Sequence, residues 1–147
     1  MTRRLMLMLA VLAMPVTLHA EPTGGATVTV EIKGLRSTAG TLRACLTAKV
    51  DTFPECEKDP AALRLTVPAH DGPVLVFRHV APGAYGVSLF HDANNNGRLD
   101  KTLGIPNEGF GFSRDAPVHM APPKFDAARI VVGTADMTTA ITVRYIL

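Results

Sequence analysis

Val74-Leu75-Val76-Phe77-Arg78-His79-Val80-Ala81-Pro82-Gly83-Ala84-Tyr85-Gly86-Val87-Ser88-Leu89-Phe90-His91 decides the fold. Val74 to Val80 is a mostly apolar run broken by Arg78-His79. Ala84 to His91 places Tyr85, Val87 and Leu89 in step. Alternation with a period of two buries one face of a strand. Pro82-Gly83 lies between the runs, where proline pre-sets φ and glycine permits a tight turn.

The same rhythm runs outward in both directions. Val28, Val30 and Ile32 share a face in Thr27 to Lys33. Leu42, Ala44 and Leu46 do so in Thr41 to Ala48, with Cys45 on the other face. Leu63, Leu65 and Val67 follow in Ala62 to Val67. Ala127 to Val132 and Thr138 to Ile146 close the chain, the latter with Ile141, Val143 and Tyr145 in step. Turn chemistry separates the runs at Gly34, Ser37 to Gly40, His70 to Pro73 and Gly133 to Asp136. No segment carries a helical stripe of useful length. The pattern predicts an all-β domain of about seven short antiparallel strands, a sandwich or barrel.

The start of the chain reads differently. Arg3-Arg4 precede an apolar run from Leu5 to Val16, which ends at Leu18-His19-Ala20 before Glu21-Pro22. Positive start, apolar run and small residue predict a secretory signal peptide over residues 1–20. The run is shorter than the roughly 20 residues of a transmembrane helix, although a membrane anchor is the competing reading. The expected mature chain, residues 21–147, is a single domain in the periplasm or outside the cell, with no membrane span after signal removal. Of 15 Lys+Arg against 13 Asp+Glu, two arginines leave with the signal. The balanced remainder offers no electrostatic footprint for nucleic acid or an anionic membrane.

Cys45 and Cys56 both fall in the exported part, where disulfides persist. Bridged, they close a short loop worth about 2–3 kcal/mol on the chain-entropy model. A two-thiolate metal site and free thiols are the alternatives. The spacing is not that of a redox motif.

From Asp92 to Lys124 the alternation lapses for about thirty residues, far beyond an ordinary connection. Its apolar residues (Leu99, Leu103, Ile105, Phe110, Phe112, Met120, then Phe125) predict that the segment packs. Within it, His91-Asp92-Ala93-Asn94-Asn95-Asn96-Gly97-Arg98-Leu99-Asp100 has oxygen side chains at Asp92, Asn94 and Asn96, then Gly97, then Asp100. These match the front of a calcium loop, with the Arg98 carbonyl at its seventh position. Leu103 stands where the bidentate glutamate of an EF-hand would be. The competing reading is a metal-free turn, in which Asp92, Asn94 and Asn96 bond the loop backbone and Gly97 takes a positive φ.

Gly104-Ile105-Pro106-Asn107-Glu108-Gly109-Phe110-Gly111-Phe112-Ser113 comes next. One reading makes Glu108 a recognition group beside exposed Phe110 and Phe112. The other folds the aromatics over the sandwich and leaves Glu108 bonding loop amides. His91, His119 and Met120 flank the segment and offer soft copper ligands. No Gly-x-Ser-x-Gly, phosphate loop or dinucleotide fingerprint is present, and one glutamate is not an acid–base pair. The chain reads as no enzyme.

Val80-Ala81-Pro82-Gly83-Ala84-Tyr85-Gly86-Val87 resembles the PG-x-Y hairpin of transthyretin-like and other immunoglobulin-like sandwich modules. Three ordered blocks resemble a bacterial family of unknown function, DUF2141. They are Phe90-His91-Asp92 through Asn96-Gly97 to Leu99-Asp100; Gly104-Ile105-Pro106 to Glu108-Gly109 and Gly111-Phe112-Ser113; and Pro122-Pro123 to Phe125-Asp126-Ala127. The resemblance spans about Val28 to Tyr145 and implies an exported immunoglobulin-like or transthyretin-like sandwich. It brings no catalytic residue with it. The leading expectation is a binding or interaction module that uses the 92–124 loop toward a periplasmic or envelope partner, with calcium as a candidate ordering ion. A structural, envelope-maintaining protein acting through protein contacts is the alternative. A hydrolase using Asp92, Asp100 and Glu108 is the remote one.

Overall fold

A computed structural model describes residues 24–70 and 73–147. The expected signal peptide over residues 1–20 lies outside the described residues, as do Asp71 and Gly72 of one predicted turn. The strands are β1 (Ala26–Lys33), β2 (Thr41–Thr47), β3 (Leu63–Pro68), β4 (Val74–Val80) and β5 (Gly83–Asp92), then β6 (Lys101–Thr102), β7 (Ile105–Pro106), β8 (Phe110–Phe112), β9 (Ile130–Val132) and β10 (Met137–Thr142). One helical turn, α1 (Phe125–Ala128), precedes β9.

Two sheets form an all-β sandwich. One runs β10-β1-β4 and the other β3-β2-β5-β8, with β9 also paired to β5. β1 and β10 are parallel, whereas β1–β4, β2–β3, β2–β5, β5–β8 and β5–β9 are antiparallel. The alternation explains the layers. Val28, Val30, Leu75, Phe77 and Ile141 of the first sheet meet Leu42, Ala44, Leu46, Val87 and Leu89 of the second in one buried core. Burying such side chains is the main stabilising term, about 1.5–3 kcal/mol each. β3, at the sheet edge, keeps Leu63 partly exposed.

Three expectations change. Ala127 to Val132 is not one strand: Phe125 and Ala128, three residues apart, both face inward, so this stretch begins as a helical turn. β10 stops at Thr142. The chain then crosses toward the other sheet, where Arg144 exchanges both backbone hydrogen bonds with Phe110 (3.0 and 2.8 Å). The 92–124 segment also holds three short strands. Gly109-Phe110-Gly111-Phe112 is itself a period-two pattern with glycine on the inner face. A Cβ at Gly109 would stand 2.5 Å from Tyr145 and Val143, and one at Gly111 2.5 Å from Ile141. Only glycine lets β8 lie this close to the chain around β10.

Cys45 and Cys56 are disulfide-bonded. Asp59 braces the bridged loop, accepting from the Thr47 hydroxyl and, at 3.0 Å, from the Ala61 amide. Replacing both cysteines by alanine is expected to lower unfolding free energy by about 2–3 kcal/mol, from restored loop entropy in the unfolded chain. Urea unfolding of the double variant against the oxidised protein measures this, and an unchanged midpoint would remove the bridge from the stability account.

Candidate functional site

β5 ends at Asp92, and its register with β2 sets the first fixed point: Asp92 pairs with Thr41, and Phe90 with Arg43. Arg43 therefore projects from the same face, one step along. Its Nε donates to Asp92 Oδ2 at 2.7 Å. The Asp92 side chain is fully buried, whereas Arg43 keeps about a third of its side chain exposed, at 36%. Asp92 Oδ1 accepts the Asn96 amide and Oδ2 the Gly97 amide, both at 2.9 Å. Burial pushes the Asp92 carboxyl up. The Arg43 hydrogen bond, the two amides and the Arg43 charge outweigh it and leave the group below its ordinary value.

The loop then ties itself. Asn94 Oδ1 accepts the Asn96 amide, and Asn96 Oδ1 accepts the Arg98 amide, both at 3.0 Å. Their amide nitrogens converge on Asp100 Oδ2 at 2.8 and 2.7 Å. Arg98 Nε reaches Asp100 Oδ1 at 3.3 Å. The Asn94 amide chiefly holds the Asp100 carboxyl below its ordinary value. Burial opposes this, and Asn96 and Arg98 add to it. Gly97 has φ +84° and Asn95 +58°, both residue types that tolerate the left-handed region.

Glu108 closes the loop from outside. It is buried, with Oε1 accepting the Ala93 amide and Oε2 the Asp100 amide, both at 3.1 Å. The structure thus brings Asp92, Asn94, Asn96, Asp100 and Glu108 into one network of side chains and loop amides. This is the geometry of the self-bonded turn. Among the described residues no three His, Cys, Asp or Glu side chains gather to hold a metal ion. The oxygens of Asp92, Asn94 and Asn96 proposed for calcium already accept loop amides.

Of the two readings of Phe110 and Phe112, the one that covers them and leaves Glu108 bonding loop amides matches the structure, and exposed recognition aromatics do not. Phe110 and Phe112 are 5% and 8% exposed and pack with Ala116 and Ala128 against Phe53, Phe90 and Val118. Phe53 meets Phe112 edge-on at 5.9 Å between ring centroids. β8 turns both aromatics outward from its sheet, and these neighbours cover them. His91 is not free to ligate copper with His119 and Met120. Its Nε2 lies 2.7 Å from the Ala39 carbonyl, so it carries the proton and donates. Its Nδ1 lies 2.9 Å from the Tyr145 hydroxyl.

A different feature stands out at the surface. β6 and β7 pair as a two-residue hairpin, Thr102 opposite Ile105. Leu103 and Gly104 form its tip with φ +50° and +82°. Turns of this kind take Asn-Gly, because both central residues need positive φ. Leu103 occupies the asparagine position and is 97% exposed, and Ile105 is 41% exposed. No turn signal marks this hairpin in the sequence, because Leu103 stands where such a turn takes asparagine, and its apolar residues read as packing. Leu103 and Met120 do not pack, and Ile105 does so only in part.

No helix among the described residues is long and apolar enough to cross a membrane. A family model described as an uncharacterized protein conserved in bacteria, DUF2141, matches residues 30–140. No curated protein and no solved structure matches the chain.

Proposed function

Because the chain belongs to the DUF2141 family, whose description assigns no activity, we propose from its own surface that it is an exported interaction module presenting the 92–124 segment to a protein partner. The observation that carries this reading is Leu103. It spends conformational energy at positive φ and exposes an apolar side chain, where asparagine would avoid both costs. Lys101, exposed, precedes it in the same hairpin. The network from Asp92 to Glu108 is the rigid base that holds this tip, and the disulfide suits a module that works outside the cytoplasm.

On this reading the loop is ordered by its own hydrogen bonds rather than by calcium. Asp92 already has a cation, the Arg43 guanidinium, and both Glu108 oxygens accept amides. The carboxylates receive no acid–base role for the same reason.

A photo-crosslinking residue at position 103, introduced in the producing cells, is expected to trap a protein that the same residue at Gly133 does not. No adduct at either 103 or 105 would sink the reading. Melting the purified protein in millimolar calcium and in chelator is expected to give the same Tm. A rise with calcium would restore the ion, since whatever binds only the native state stabilises it.

A further inference from the structure

The partner of this tip is legible elsewhere on the same molecule. Two adjoining depressions, of about 270 and 450 Å³, share Phe53 and Pro54. Val50, Phe53, Pro54 and Pro122 give their apolar surface over a floor that includes the buried Pro123 and Phe125, and Val50 is 59% exposed. The rim carries four carboxylates, Asp51, Glu55, Glu57 and Asp126, against Lys58 and Lys124. This is a socket of mixed apolar and polar lining with an acidic excess. The β6–β7 tip is an apolar knob with exposed Lys101 at its base, while Arg98, further back in the loop, is paired with Asp100.

The knob cannot enter its own socket. The Phe53 ring lies over Gly86, close enough that a Cβ there would stand 2.8 Å from it. Gly86 lies near the start of β5, and the hairpin follows the end of β5 at Asp92. Six residues of strand separate the two ends by about 20 Å. We infer that the hairpin tip Leu103-Gly104-Ile105 of one copy docks into the Val50–Pro54/Pro122–Phe125 groove of a second copy, in a head-to-tail contact. The inference rests on the reading of the 92–124 segment as a contact surface, and names its partner.

A heterologous contact of this kind is not self-limiting: every bound copy still offers a free knob and a free socket. Charge complementarity makes it salt-sensitive.

Sedimentation velocity on the purified chain over about 10 µM to 1 mM covers the range where small interfaces are populated. The expected result is reversible association into dimers and larger species. It should weaken at least about threefold in about 0.5 M sodium chloride, where charges more than about 5 Å apart are screened. Leu103→Asn, which lacks the knob, and Val50→Lys, which spoils the socket, are each expected to sediment as monomers. Both should fold: Leu103→Asn melts at or above the wild-type temperature because the turn strain is relieved, and Val50 is a surface residue. Mixed in equal amounts, the two variants are expected to form dimers and nothing larger, since one intact knob then meets one intact socket. A wild-type chain that stays monomeric, or a mixture that does not associate, overturns the second-copy partner. An adduct at position 103 would still stand for the contact surface itself, so the two readings fail separately.

Discussion

Gly40→Ala is expected to cost about 4 kcal/mol. Gly40 has φ +72°, and a Cβ there would lie 2.1 Å from the Asp92 carbonyl oxygen and 2.7 Å from the Ala93 Cα. Both neighbours are backbone, so no rotamer change makes room. The left-handed conformation alone costs an alanine about 1–2 kcal/mol. Relieving the overlap means separating β2 from β5 at the Thr41–Asp92 rung, where the candidate loop begins. Gly133 is the control, since nothing lies within 4 Å of a Cβ there and its φ is not positive. Urea unfolding of Gly133→Ala should stay within about 0.5 kcal/mol of wild type. Equal losses in the two variants would refute the clash.

Asp92→Ala is expected to cost about 3 kcal/mol and to flatten the acid limb of the stability profile. The substitution removes the acceptor of the Gly97 amide, one of the two acceptors of the Asn96 amide and the carboxylate that Arg43 bonds. Arg43 contributes less than a fully buried partner would, because solvent reaches its side chain and screens the pair. The sign of the pH effect follows from the lowered carboxyl. Its stabilisation is complete above the ordinary value of 3.8 and is lost as pH falls through the depressed folded value. Wild-type stability should therefore drop below about pH 4 more steeply than that of the variant. Asp59 and Asp100, lowered in the same direction, leave the variant a residual slope. Parallel acid limbs in both proteins would show that Asp92 is not held as described.

The framework was legible because alternation is a local signal. Val28/Val30, Leu42/Ala44/Leu46 and Val87/Leu89 each announce a buried face within a few residues, and all of them reach the core. The two alternatives for Asp92 to Asp100 were also visible, since Asx side chains bond amides two to five residues on. What the sequence hides is decided at long range. Glycine at 109 and 111 looks like loop chemistry until Tyr145, Val143 and Ile141 are laid against it. Whether Phe110 and Phe112 are exposed or covered is open until Phe53 and Phe90 are laid against them. Arg43, 49 residues before Asp92, carries no mark of its role. Leu103 misleads in the other direction, an apolar residue whose address is set by a two-residue turn.

The parallel pairing of β1 with β10 has a consequence in time. β1 occupies the middle of its sheet, and one of its two neighbours, β10, comes last in chain order among the described strands. An N-terminal fragment emerging from a ribosome or a membrane pore finds β4 but leaves the other edge of β1 bare. Folding dominated by such distant pairings is slow relative to local helix formation. The topology thus delays completion of this sheet until the segment carrying β10 is present, so the edge of β1 that faces it is the last of the described sheet edges to be covered.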